Sequence, residues 1–278
     1  MTSRPRPNRS HPHLPPKSRA FTTPSTHKGP RNARKAAHAH ATSLMHTFTA
    51  ATPENILRLA LESFDNVAIS FSGPRTWSSW TWRAASSPMC GCFPWTPGRL
   101  HPETYRFLDR VRERYPIRFE ALSPDAMAVE RLVREKGLFS FYQDGHQECC
   151  GIRKVGPLRR RLQSLDAWVT GQRKDQSLAT RATIAVVERD AAFSTPEHAL
   201  VKFNPLANWT AAEVWDYIRT NDVPYNELHE RGFVSIGCEP CTRAVIPYQQ
   251  EREGRWWWED AADKECGLHT ANVAGGRC

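Results

Sequence analysis

The chain has 278 residues, 40% of them hydrophobic, with a formal charge of +9 and a pI near 9.3. That charge is not spread over a core: residues 1–44 hold nine Lys and Arg and no Asp or Glu, leaving 29 basic residues against 29 acidic ones in the remainder. Net charge therefore gives no support to a nucleic-acid-binding core, and no stretch is long and apolar enough to span a membrane.

Residues 1–44 are rich in Pro, Ser, Thr and His and read as a disordered basic extension, or as an over-long start ahead of Met45. Their lack of acids fits a transit peptide, but the prolines spoil its amphipathic helix. No apolar leader opens the chain, so reduced thiols and a cytoplasmic location are expected.

Thr52-Pro53-Glu54 supplies an N-cap, a first-turn proline and an early acid, and Ile56, Leu57, Leu59, Ala60 and Leu61 give the helix its apolar face. Asn66 to Phe71 is a short apolar strand running into Ser72-Gly73, where an α/β fold places a ligand-binding turn. The helix expected next does not appear. Between Gly73 and Gly98 lie four of the chain's ten tryptophans, Trp77, Trp80, Trp82 and Trp95, with no acid and no helical or strand period. A frameshift explains this. Trp is TGG and Thr begins AC, so in a frame displaced by one base Trp80-Thr81 and Trp95-Thr96 each force GAC, aspartate, and Met89-Cys90 forces GTG, valine. Permitted codons then give A-E-D-V-V-L-V-D-M-A after Gly73 and V-R-V-F-S-L-D-T-G ending at Gly98, an amphipathic helix and a buried strand. The other reading is a divergent Trp-rich loop.

From Gly98 the pattern resumes. A helix follows His101-Pro102-Glu103-Thr104, with Tyr105, Phe107, Leu108 and Val111 on one face. Ile117 to Leu122 is a strand, Asp125 to Lys136 a helix, and Ala167–Thr170, Ile184–Val187 and Leu200–Phe203 are further strands. Asn208 or Thr210 caps a helix through Val214 and Ile218. Strands alternating with helices predict an α/β fold with a mainly parallel sheet covered by helices on both faces.

The cysteines carry the chemistry. Cys149-Cys150 is an adjacent pair, Cys238 and Cys241 form a C-x-x-C, and Cys266 stands alone in Glu265-Cys266-Gly267-Leu268-His269. Four thiolates are what a 4Fe-4S cluster needs, and a single thiol on a mobile, Gly-containing tail suits a redox nucleophile. Structural zinc is the competing reading, but its ligand pairs are usually two to four residues apart, which the adjacent pair is not. Neighbouring helical side chains diverge by about 100°, so Cys149 and Cys150 share a centre only if the backbone bends or the centre is larger than one ion. Unligated thiols are the third reading. Gly171 to Ser177, after a strand, is either a nucleotide-receiving turn or a charged surface turn. Arg252 and Arg255, beside Trp256-Trp257-Trp258, suit phosphate oxygens, or a solvated stretch beside an aromatic anchor.

Ser70-Phe71-Ser72-Gly73, Gly98-Arg99-Leu100-His101-Pro102-Glu103-Thr104, the cysteine pair, Thr170-Gly171-Gln172-Arg173, the C-x-x-C and the Cys266 motif occur in one order from about Met45 to His269. Together they resemble the assimilatory adenylyl-sulfate (APS) reductases, relatives of the phosphoadenylyl-sulfate (PAPS) reductases. The displaced-frame S-L-D-T-G running into Arg99-Leu100 resembles that family's D-T-G-R-L. The resemblance implies an adenine-nucleotide α hydrolase-like fold: a reductase domain over 45–250, with 73–98 frameshifted, and a mobile segment over 251–278. It implies that Ser70, Ser72, Gly171 and Arg181 receive the adenosine end of APS and that Lys154, Arg252, Arg255 and His269 surround the phosphosulfate. Cys149, Cys150, Cys238 and Cys241 then ligate a 4Fe-4S cluster. Cys266 becomes the nucleophile, forming an S-sulfonate that thioredoxin or a similar dithiol resolves to sulfite. Cys90 and Cys92 read as by-products of the frameshift, and Cys278 has no assigned role. PAPS as substrate, a zinc-stabilised nucleotide- or RNA-binding module, and an inactive frameshifted reductase are the alternatives; a homo-oligomer is left open.

Overall fold

A computed structural model describes residues 51–71, 91–115, 118–178, 180–260 and 264. The basic extension and the helix expected in the displaced frame lie outside them.

Helix α1 (Pro53–Ser63) is capped by Thr52, whose hydroxyl accepts from the Asn55 amide at 3.4 Å, as the Thr-Pro-Glu signature predicts. It leads into β1 (Val67–Phe71), buried at all five positions and hence suited to a central place. Strand β2 (Gly91–Pro94), α2 (Pro102–Arg114) and β3 (Arg118–Phe119) follow. Helix α3 (Ala126–Lys136) is capped by Asp125, which accepts from the Ala128 amide at 2.8 Å. A helical run then changes pitch twice: α4 (Gln147–Cys150), a π-helical turn over Gly151–Val155, and α5 (Gly156–Leu162). Strands β4 (Ala167–Val169), β5 (Val187–Arg189) and β6 (Val201–Phe203) precede α6 (Ala211–Thr220), which opens with a Thr210–Glu213 capping box.

The sheet order is β3-β2-β1-β4-β6-β5, with every pairing parallel except β5 against β6. Side chains alternate across it with a period of two. Val67, Ile69 and Phe71 of β1 pack with Ile56, Phe107, Val111 and Val214, on the face covered by α1, α2 and α6. Ala68 packs with Leu158 and Leu162 of α5 on the other. Among the described residues no helix is long and apolar enough to cross a membrane.

Two strand expectations need correction. The strand expected at Ile184–Val187 starts three residues later, because the chain is still turning at Ile184, whose amide donates to the Arg181 carbonyl at 3.2 Å. Gly91 to Pro94, where the literal sequence shows no period, is a strand. Four residues are too few to display one, and the slot beside β1 defines it, with Ala68 opposite Gly91 and Phe71 opposite Pro94. Cys92 and Phe93 are fully buried in the cores of opposite faces, so Cys92 is a core residue of this chain.

From β1 the chain builds β2 and β3 to one side and then returns to add β4 on the other. Such a reversal opens a crevice beyond the carboxyl ends of the two strands. Here those ends are Ser70-Phe71 and Val169-Thr170. Replacing Cys92→Ser puts a hydroxyl into the interior and is expected to lower the unfolding free energy by about 1–3 kcal/mol in a denaturant titration. An unchanged midpoint would show that this stretch does not fill the core.

Candidate active site

The crevice is a cavity of ≈ 180 Å³. Its floor comes from strand ends: buried Ser70 on β1, and Thr170, Gly171 and Gln172 after β4. The turn is fixed from within. The Thr170 hydroxyl donates to Asn204 Oδ1 and accepts from the Gln172 amide at 3.2 Å. Arg181, also buried and at the cavity wall, donates to Gln176 Oε1. The sequence left Gly171 to Ser177 open between a nucleotide turn and a charged surface turn. Burial of Arg173 decides against a simple surface turn: it is 0% exposed and pairs with Asp175 and, at 2.9 Å, with Glu251 Oε2. Arg173 thereby ties this turn to the segment carrying Arg252 and Arg255, a role its sequence position did not reveal.

The opposite part of the cavity is cationic. Lys154, Arg252 and Arg255 all line it, together with Trp256. Lys154 and Arg255 are buried. Arg255 lies so close to Gly237 that a Cβ there would sit 2.2 Å from its Nη2. Glu251 brings a carboxylate to the same cavity, but it is committed to Arg173. An anion entering this end therefore meets guanidinium and ammonium groups already partly stripped of water.

Directly behind Lys154 lies a second, smaller pocket. All four cysteines line it, Cys149 and Cys150 from α4 and Cys238 and Cys241 from a short turn, with Arg99, Phe141, His146 and Arg153 completing the wall. Tertiary packing thus joins two pairs almost ninety residues apart in the sequence. The π-helical turn starting at Gly151 supplies the local change of backbone that the adjacent pair calls for. The C-x-x-C is pinned by its own backbone and neighbours: Thr242 Oγ1 donates to the Cys238 carbonyl at 2.8 Å, and the Glu239 amide to the Arg99 carbonyl at 2.8 Å. Phe141, Trp256 and Trp258 close the apolar side.

Every described cysteine is a free thiol. Burial pushes the Cys241 thiol up to about 12, with Cys238 adding to the effect. Cys149 is also raised by burial, against the pull of Arg153. Four thiolates in such a place need a cationic centre to hold them. Among the described residues no three Cys, His, Asp or Glu side chains close on one point as a single ion requires. The four cysteines line one shared pocket, a soft donor set of the kind that suits a thiophilic metal centre. Ser72, Cys266 and His269 lie outside the described residues. Lys264, two residues before Cys266, has its carbonyl bound by the Arg252 guanidinium.

A sequence profile of the phosphoadenosine phosphosulfate reductase domain matches residues 56–244. The adenosine 5'-phosphosulfate reductase of Pseudomonas aeruginosa is 58% identical over 225 residues, covering 80% of this chain and 84% of that protein. The chloroplastic 5'-adenylylsulfate reductase 3 of Arabidopsis thaliana is 56% identical over 227 residues, 80% of this chain and 50% of that one. A crystal structure of the PAPS reductase of Candida auris in a phosphate complex superposes with a TM-score of 0.61 at 26% identity, over 74% of this chain and 97% of that one. With the switch-point cavity, its cationic end and the four-cysteine pocket in place, the chain belongs to the PAPS and APS reductase family of oxidoreductases.

Proposed function

We propose that this protein reduces APS to sulfite and AMP in sulfate assimilation, with Cys266 as nucleophile. The observation that carries the reading is the sharing of Lys154 between the cationic end of the cleft and the four-cysteine pocket, in a chain 58% identical to an APS reductase. Ser70, Ser72, Gly171 and Arg181 take the adenosine end; Lys154, Arg252, Arg255 and His269 take the phosphosulfate. The Cys266 thiolate attacks the sulfur, a sulfur–sulfur bond forms as the sulfur–oxygen bond to phosphate breaks, and AMP leaves with the electron pair. The three cations neutralise charge building on the leaving phosphate. A dithiol such as thioredoxin then attacks the Cys266 sulfur and releases sulfite; its second thiol resolves the mixed disulfide and restores Cys266.

Cys149, Cys150, Cys238 and Cys241 would hold a 4Fe-4S cluster. Bound there, it supplies a polarisable charged body beside Lys154, while the electrons arrive as thiols.

Sulfur-labelled APS mixed with the protein in the absence of reductant should label Cys266, and thioredoxin should discharge the label as sulfite. No label on an iron-loaded protein would sink the reaction. PAPS labelling Cys266 more efficiently than APS would reassign the substrate. Cys150→Ser should lose iron and activity together, whereas Cys266→Ser should keep iron and lose the adduct. A Cys266→Ser protein that still carries label would exclude Cys266.

Gly237→Ala tests the cationic end separately. The new methyl group displaces only the tip of Arg255, so iron content and thermal midpoint should hold. The kcat/KM for APS should fall about tenfold, the worth of one charge-assisted contact. An unchanged kcat/KM would remove Arg255 from the substrate contacts.

A further inference from the structure

Trp256 is an odd residue on which to centre a site. Its side chain is fully buried although it lines the cleft. Its backbone φ is +40°, in the left-handed region that a bulky residue adopts only when its surroundings enforce it. Those surroundings are visible. The Trp256 amide donates to the Cys241 carbonyl at 3.1 Å, its own carbonyl accepts from the Glu259 amide at 2.9 Å, and Arg255 forms a bridge with Thr242.

The strained turn delivers the indole to a meeting point of cations. Arg255 lies 4.5 Å from the ring centroid, and Lys154 and Arg252 each lie 5.7 Å from it. These three cations line the cleft, and they come from two distant segments. An aromatic ring attracts a cation without neutralising it, so groups gathered this way keep the charge that an anion needs. The ring is itself held. His146 stacks on it at 4.1 Å and 23°, and Glu259 grips His146 twice, through Nδ1 at 2.5 Å and through its backbone amide at 2.9 Å.

We infer that Trp256 is a positioning residue for the anionic end of the substrate: its indole gathers Lys154, Arg252 and Arg255, and the His146–Glu259 pair locks the indole in place. The inference rests on the proposed reaction and names the device that sets its phosphosulfate site.

The test compares two ligands on the full-length, iron-loaded protein: APS, and adenosine, which lacks the phosphosulfate. Trp256→Leu should weaken APS about thirtyfold and leave adenosine unchanged, since three cation contacts go and the nucleoside pocket stays. Trp256→Phe keeps a weaker π face and should restore most of the loss. Glu259→Gln, which spares the ring but loosens its support, should weaken APS severalfold and again spare adenosine. Equal weakening of both ligands would mean that Trp256 is only structural, and unchanged APS binding, or a Phe variant as poor as the Leu one, would equally overturn the inference. If the Leu variant does not fold, the Phe and Gln variants decide the matter by the same APS-to-adenosine ratio. Wild-type protein that fails to label Cys266 would instead overturn the reaction, and this device with it. Normal labelling with an unmoved ratio would overturn the device alone.

Discussion

Low-polarity surroundings make charge expensive, and this protein concentrates charge in such surroundings. Four cysteines are packed among Phe141, Trp256 and Trp258, and burial favours the neutral thiol at Cys149 and Cys241. On the cleft side of the same wall, Lys154 and Arg255 are buried as cations. Neither group is well placed alone. Thiolates beside cations, and cations beside an anionic ligand, relieve each other, and Lys154 faces both. The proposed cluster and the proposed substrate would thus meet across one side chain.

The backbone bears the cost of that closeness in a few residues. The helix carrying the cysteine pair widens into a π turn immediately after it. Gly98 takes a φ of +74°, with Arg153 against it and donating to the Pro97 carbonyl at 2.8 Å. Gly237 leaves room for the Arg255 guanidinium. Trp256 accepts a left-handed φ. These irregularities ring the two pockets, while the central strands beneath them keep ordinary parallel pairing; a regular scaffold fixes the strand ends, and local distortion aims the side chains.

Residues 251–260 are part of this construction. Arg173 reaches Glu251, the Arg243 amide donates to the Gly254 carbonyl at 2.9 Å, and Glu259 returns to His146. The last described residue, Lys264, is tied through its carbonyl to Arg252 at the cationic end of the cleft.

The layers of the fold were legible in local pattern, and the family in the order of its motifs. The cap at Thr52, the helices beginning near Asp125 and at Asn208 or Thr210, and the apolar run of β1 act within a few residues of themselves, so local pattern sufficed to read them; the structure puts the caps at Asp125 and Thr210. The cysteine pairs and the Arg252–Arg255 pair drew attention by residue type and spacing, whereas Lys154 and Arg181 were named only through the family resemblance; all of them line one or other pocket. What only the tertiary structure decided depends on contacts between distant segments. It made a strand of Gly91 to Pro94, whose place comes from β1 beside it, and moved β5 past its expected start, because an edge strand begins where a turn releases it. It gave the buried Arg173 a partner 78 residues away. It also turned Trp256 from one member of an aromatic run into the ring on which three cations and a clamped histidine converge. No period or motif encodes such a meeting, because it exists only after the sheet has brought the α4 helix and the C-terminal turn to the same wall.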